Sequence, residues 1–302
     1  MLHQTIRPQR HSFEKRVAVL LYFLGSQGGY RETAAAFGVA KSWCIEIVSL
    51  LTGVLVNMAR QWIHLPTSNE SWADLEAGFV SKQGMRGVVG AVDGTLIDIQ
   101  RPKDYDGFYN RNGDPSLNLQ GVVDAHQRFI SSDIRPGSYS DKKTWKASLF
   151  GRTIRNNMPL GCCIIGDSGY ALFPWLITPF LPHEEGGRLN KLKKRFNYKL
   201  SSTRMVVECS FGRLKERFRI LKSVMNEKSL SRTVENITAC FVLHNIFINF
   251  KDRLFDVPNP RRDRNDYVQL IEDDKSSVEP NRFLRAVAVA KRLSIAKLIY
   301  HK

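Results

Sequence analysis

Several things are scarce in this sequence, and each shortage excludes something. The five cysteines, Cys44, Cys162, Cys163, Cys209 and Cys240, include no C-x-x-C pair and lie mostly in apolar contexts. That excludes a zinc ribbon or a disulfide framework and suggests buried thiols in a reducing compartment. No apolar run approaches the length of a membrane span, and residues 1–10 lack the apolar core of a signal peptide, so no membrane association is expected. Internal repeats and low-complexity segments are also lacking. Acid is short: 29 Asp and Glu stand against 45 Lys and Arg, for a net charge of +16 and a pI near 9.8. Such a balance calls for an acidic partner, and without a membrane segment the expected one is nucleic acid.

Apolar material is sufficient. At 302 residues and 43% hydrophobic content, the chain can bury one large core or two modest ones. Val17, Leu20, Leu21 and Leu24 fall at helical spacing, and the run Gly25-Ser26-Gln27-Gly28-Gly29 stops that helix. A second helix is expected over residues 30–37, ending at Gly38. A third starts near Lys41-Ser42-Trp43 and carries Ile45, Val48, Leu51 and Leu55 on one side. Two short helices joined at a glycine outline a helix-turn-helix, which would make Lys41, Ser42 and Trp43 candidate DNA-reading residues; an ordinary helical bundle fits the same pattern. A connector at residues 66–69 and a short helix over 72–79 complete a helical region, residues 1–80.

The stretch 88–99 is the clearest strand signal, yet it contains Asp93-Gly94. On pattern alone Asp-Gly between apolar runs favours a hairpin turn; the other reading is one buried strand whose mid-strand acid needs a cation or hydrogen bonds. Two more strands are expected over 117–124 and 128–134, then a helix over 143–155. Asp98, Asp124, Asp133 and Asp141 read as solvated or capping acids. A short apolar strand ends in Gly166-Asp167-Ser168-Gly169, where Asp167 either caps a helix over 171–176, starts a turn, or presents a carboxylate at a strand's end.

Beyond residue 187 the charge becomes dense. Lys191, Lys193, Lys194, Arg195 and Arg204 crowd a stretch interleaved with Phe196 and Tyr198, a pattern suited to a phosphate backbone. Ser201-Ser202-Thr203 looks like a helix start. Val207, Phe211, Leu214, Phe218 and Leu221 then give a buried stripe, with Arg213, Lys215 and Arg217 making the rest basic. Glu208 borders the stripe one turn after Arg204, as an ordinary i, i+4 pair would. Residues 234–250 form a helix apolar almost all round, in which His244-Asn245 reads as a core hydrogen-bonding pair. Residues 251–302 read as a mobile basic extension ending in a helix near 281–300.

Together, Ala91-Val92-Asp93-Gly94-Thr95, Asn118-Leu119-Gln120, Pro136-Gly137-Ser138 with Asp141, Gly166-Asp167-Ser168-Gly169-Tyr170, Arg204 to Glu208 with Phe211-Gly212-Arg213, and Cys240 to Ile246 resemble the DDE transposases of the PIF/Harbinger group and the nucleases derived from them. The resemblance spans about residues 87–250, and it turns the reading of Asp93 from hairpin to strand. It implies an α/β, RNase H-like mixed sheet with flanking helices over residues 86–250, preceded by the helix-turn-helix-like region. It also implies a catalytic, metal-binding triad of Asp93, Asp167 and Glu208. Two Mg²⁺ or Mn²⁺ ions would be held there, Asp93 bridging both, for in-line attack of water or a 3′-hydroxyl on phosphorus. The family further implies DNA as substrate, a Myb-like DNA-binding partner protein and a nuclear location, with the cytoplasm as a second compartment; a homo-oligomer is compatible with it. The competing readings are a domesticated, catalytically inactive DNA-binding or regulatory protein, and an RNA-processing nuclease.

Overall fold

The computed structural model describes residues 11–102, 106–227, 229–252 and 282–300. Helix α1 (Phe13–Gly25) begins where Ser12 Oγ accepts from the Lys15 amide, and buries Val19, Leu20, Phe23 and Leu24. Helix α2 (Gly29–Phe37) ends at Gly38, whose φ of 58° is a left-handed cap that glycine adopts without strain. It meets α3 (Lys41–Asn57) at 106°, within the range of helix-turn-helix pairs. A short α4 (Ala59–Trp62) and α5 (Asn69–Gln83), capped by Ser68, follow. The α1–α3 helices do not close a core of their own. Val19, Phe23, Leu24 and Val48 join one apolar cluster with Phe218, Ile237 and Phe241 from the far end of the chain.

The sheet holds β1 (Val88–Asp98), β2 (Ser116–Val123), β3 (Phe129–Pro136), β4 (Cys163–Ile165) and β5 (Leu176–Ile177), in the order β3-β2-β1-β4-β5. The β1–β2 and β2–β3 pairs are antiparallel; β4 lies parallel to β1 and β5 parallel to β4. Asp93 sits inside β1, opposite Gly121 of β2, which overturns the hairpin pattern at Asp93-Gly94. The β1–β4 pairing stops at Ala91 and Ile165 although β1 runs on to Asp98. Asp93 therefore lies just past the last paired residues of β4, and Asp167 leaves β4 beside it.

Both faces of the sheet are covered. A register shift in β1 between Val88 and Gly90 interrupts the alternation of side chains, so Val88 and Ala91 join Leu119, Phe129, Phe196, Val207 and Phe211 on one side. Val89 and Val92 join Val122, Ile164, Trp145, Phe150 and Tyr170 on the other. The expected helix over 143–155 is two helices, α6 (Asp141–Ala147) and α7 (Leu149–Asn157). Ser148 breaks it by closing one and capping the next: its Oγ donates to the Trp145 carbonyl (2.8 Å) and accepts from the Gly151 amide (2.9 Å). No helix forms over 171–176, because Pro174 interrupts the stretch and Leu176 pairs with Ile164 as β5.

Helix α8 (Lys191–Arg217) starts ten residues before the expected Ser201, capped by Asn190, whose Oδ1 accepts from the Lys193 amide. Thr203, offered as part of a cap, instead donates its hydroxyl back to the Lys199 carbonyl inside the helix (2.8 Å). Helix α9 (Leu230–Asn249) carries Asn245, whose Oδ1 accepts from the Phe129 amide while Nδ2 donates to the carbonyls of Phe129 and Trp62. His244 Nε2 meets the Gln127 carbonyl at 2.8 Å. Helix α10 (Arg282–Tyr300) is docked, which corrects the reading of this part as a mobile extension. Its Ala288, Arg292 and Ala296 are buried, and Lys291 Nζ donates to the carbonyls of Cys162 and Pro174. Residues 253–281 lie outside the described residues.

Candidate active site

The site is assembled from the middle of β1, the exit of β4 and the start of α6. Asp93 is 20% exposed, and its Oδ1 accepts from the Gly94 amide at 2.9 Å. Its Oδ2 lies 3.1 Å from Arg204 Nη2, brought in by α8 across that face of the sheet. Asp167 Oδ1 accepts from the Gly169 amide (2.9 Å), which folds the carboxylate back over its own turn.

Asp141 is the third acid. A Cβ placed on Gly94 would lie 2.4 Å from Asp141 Oδ1; one placed on Gly169 would lie 3.1 Å from Asp167 Oδ1 and 3.3 Å from Asp141 Oδ2. One carboxylate thus faces both the β1 glycine and the Asp167 turn, and glycine at 94 and 169 leaves room for it. The start of α6 is held there by strand β2. Asn118 Nδ2 donates to the Tyr139 carbonyl (2.8 Å), while Gln120 Nε2 reaches the Asp141 carbonyl (3.4 Å) and the Tyr170 hydroxyl (3.2 Å). Asn118 and Gln120, two apart, share a face of β2 with Ser116, and these two amides clamp the loop bearing Asp141.

Electrostatics follow from this crowding. Burial, with Asp167 and Asp141 adding to it against Arg204 and the Gly94 amide, pushes the Asp93 carboxyl up to about 7. Burial and the neighbouring Asp167 lift Asp141 to about 6, opposed by Asn118 and Arg204. Burial works against the charge on Arg204, but Asp93, Asp167 and Glu208 outweigh it and raise its pKa. Clustered carboxylates in a low-dielectric site resist ionising together unless a cation joins them. Arg204 is one such cation.

The sequence-derived residues separate here. Asp93 and Asp167 come together, whereas Glu208, one turn beyond Arg204 on α8, is exposed and shares the field of Arg204. Among the described residues no three acidic, histidine or cysteine side chains are already gathered as a ready-made metal cage. Arg204, expected at DNA and as an i, i+4 partner of Glu208, is 9% exposed and bonds Asp93. Lys215 is also turned inward, onto Thr95 Oγ1 (2.8 Å) and the Leu96 carbonyl (3.0 Å). Arg217 pairs with Asp252 at 2.8 Å and lies over the Phe247 ring, and Lys193 pairs with Glu185. Arg213 is half-buried on the same helix. Lys191, Lys194 and Arg195 are exposed, as are Lys41 and Ser42, while Trp43 is half-buried with its ring edge-on to His11 at 4.5 Å. Read from the residues alone, Asp141 is a solvated or capping acid; it enters the family resemblance with Pro136-Gly137-Ser138 but not the expected triad. The signal that could have found it was Asn118 and Gln120, polar on one face of a buried strand.

The profile of the DDE superfamily endonucleases matches residues 92–245, a span that includes Asp93, Asp141, Asp167 and Glu208. A protein named "Putative nuclease HARBI1" in Rattus norvegicus is 30% identical, over 80% of this chain and 69% of its own. The Homo sapiens protein of the same name is similar to the same extent, 30% over 80% and 69%. "Protein ALP1-like" of Arabidopsis thaliana is 30% identical over 88% of this chain and 69% of its own. No solved structure matches the chain. A mixed five-stranded sheet with acids at its centre and helices on both faces is consistent with a DDE nuclease, and the chain belongs to the DDE superfamily endonucleases, among the Harbinger transposase-derived nucleases.

Proposed function

We propose that this protein is a divalent-metal-dependent DNA endonuclease with an RNase H-like fold. It hydrolyses phosphodiester bonds, and strand transfer differs only in using a 3′-hydroxyl in place of water. The observation that carries this reading is the convergence of Asp93, Asp141 and Asp167, from three separate segments, on one site where Arg204 binds Asp93 and the charge of Arg111 also reaches Asp141. The donor set fits a hard ion: it is oxygen throughout, with no sulfur or imidazole, which favours Mg²⁺ or Mn²⁺. Asp93, Asp167 and Glu208 are the residues that would hold it. Two such ions, when bound, supply activation of the attacking hydroxyl and stabilisation of the leaving oxygen.

The protein's own groups prepare the rest. The Gly94 and Gly169 amides orient Asp93 and Asp167. Arg204 neutralises part of their charge, and a guanidinium in that position is also suited to a scissile phosphate. The exposed Lys191, Lys194 and Arg195 on α8 offer a path for the DNA backbone, and the Lys41-Ser42 end of α3 a second contact. A Myb-like partner and nuclear residence belong to the same proposal.

The test is nicking of supercoiled plasmid in Mg²⁺ or Mn²⁺ by the wild type beside Asp93→Asn, Asp167→Asn and Glu208→Gln. Cleavage should fall at least a hundredfold in each variant while folding and duplex binding persist. A folded, DNA-bound wild type that makes no nick on its target DNA would instead favour the reading of a protein that only binds.

A further inference from the structure

We infer that Asp141, together with the side-chain carbonyl of Asn118, is part of the divalent-cation site, adding a carboxylate beside Asp93 and Asp167. This rests on the nuclease reading above and extends its ligand set. A helix-capping role does not account for the placement of Asp141. Ser140 already supplies the cap, accepting from the Lys143 amide, and the Asp141 carboxylate turns away from it into the space between Gly94 and Gly169. Its Oδ1 faces β1 and its Oδ2 faces the Asp167 turn. It therefore lies between the two strands that carry the first two acids.

A second observation concerns the acceptor oxygen of Asn118, whose side chain also hydrogen-bonds Asp141. Asn118 is 95% buried, its exposure being 5%, and its Oδ1 has no hydrogen-bond partner although Nδ2 is firmly bonded to the Tyr139 carbonyl. That Oδ1 lies 3.2 Å from the same Gly94 point that is 2.4 Å from Asp141 Oδ1. A buried acceptor left without a donor is unfavourable, and a cation beside it would remove that cost. Carboxylate and amide oxygens together are the donors that Mg²⁺ and Mn²⁺ take. The clamp made by Asn118 and Gln120 fixes the α6 start over the sheet, so the position of Asp141 is set before any ion arrives.

The experiment is a titration of the full-length protein with MnCl₂ alone, followed by calorimetry and by the spectrum of free Mn²⁺, on the wild type, Asp93→Asn, Asp141→Asn and Asn118→Ala. The expected result is a loss of Mn²⁺ affinity of about tenfold or more in Asp141→Asn and a smaller loss in Asn118→Ala. Circular dichroism and the metal-free melting temperature of Asp141→Asn should stay at or above those of the wild type, because a crowded charge is removed. Asp93→Asn separates the two layers of the argument. If it loses Mn²⁺ binding while Asp141→Asn binds as tightly as the wild type, the role of Asp141 is overturned and the nuclease site stands. If neither substitution changes binding, or the wild type has no saturable binding, both fall. If Asp141→Asn melts lower without metal and keeps its affinity, the residue is structural and the inference is overturned.

Discussion

A nuclease site built from crowded carboxylates should destabilise the protein that carries it, and Asp93 allows the size of that effect to be worked out. Its carboxyl holds a proton up to about pH 7 in the folded chain against 3.8 when unperturbed, with burial as the chief cause. The sign follows from proton counting. Between those two values the folded state binds more protons than the unfolded state, so stability falls as pH rises through this window and levels off above about 7. At about 1.4 kcal/mol per pH unit, ionised Asp93 costs the fold about 4 kcal/mol near pH 8, as an upper figure. Asparagine imitates the protonated form at every pH. Asp93→Asn should therefore gain less than about 1 kcal/mol near pH 4 and up to about 4 kcal/mol near pH 8, in the absence of divalent ions. Urea unfolding with EDTA, at several pH values between 4 and 8, measures this difference. Excess Mg²⁺ should then narrow the gap, because it stabilises only the wild type. A variant that is less stable than the wild type at pH 8 in EDTA, or a gain that does not grow with pH, would refute the reasoning.

Other expectations lie away from the acids. His244 is fully buried, and burial, with the charges of Arg213 and Arg217 adding to it, pulls its pKa down to about 4 despite its bond to the Gln127 carbonyl. The unfolded chain takes up that proton near pH 6.5, so stability from this group is present above 6.5 and declines by about 3 kcal/mol as pH falls to 4. His244→Gln should show a shallower acid limb in urea unfolding, and an unchanged limb would contradict the buried neutral ring. On the basic face of α8, the double variant Lys194→Ala with Arg195→Ala should weaken duplex binding across all sequences and lower the salt slope by about 2, at roughly 0.9 per phosphate contact. An unchanged slope would place the DNA elsewhere.

The helices and strands were largely legible because apolar periodicity records burial. Leu20 and Leu24 of the expected α1 stripe are buried, with Val19 and Phe23 in place of the half-buried Val17 and Leu21, and the run Cys163–Ile165 before Asp167 is buried throughout. Boundaries were less legible where one polar residue served two purposes. Ser148 splits a helix that periodicity runs straight through, and Asn190 starts α8 ten residues ahead of a serine pair that looked like a better cap. In the site, Asp93 was recoverable only in the company of distant motifs, since Asp-Gly carries a local preference for a turn that pairing with β2 overrides. Asp141 and the inward turn of Arg204 depend on contacts between segments, which composition and spacing do not record.

Asn245 has a further consequence for how copies of this protein behave toward one another. Its side-chain amide meets both the N–H and the C=O of Phe129, as the peptide group of a neighbouring strand would, and β3 is the outer strand of the sheet on that side. At Phe129 the outer edge is therefore already satisfied by a helix, and another molecule's strand finds nothing there to pair with. The same amide also holds the Trp62 carbonyl. A single side chain thus fills one pairing position on the outer edge of the sheet and ties the helices before the sheet to it.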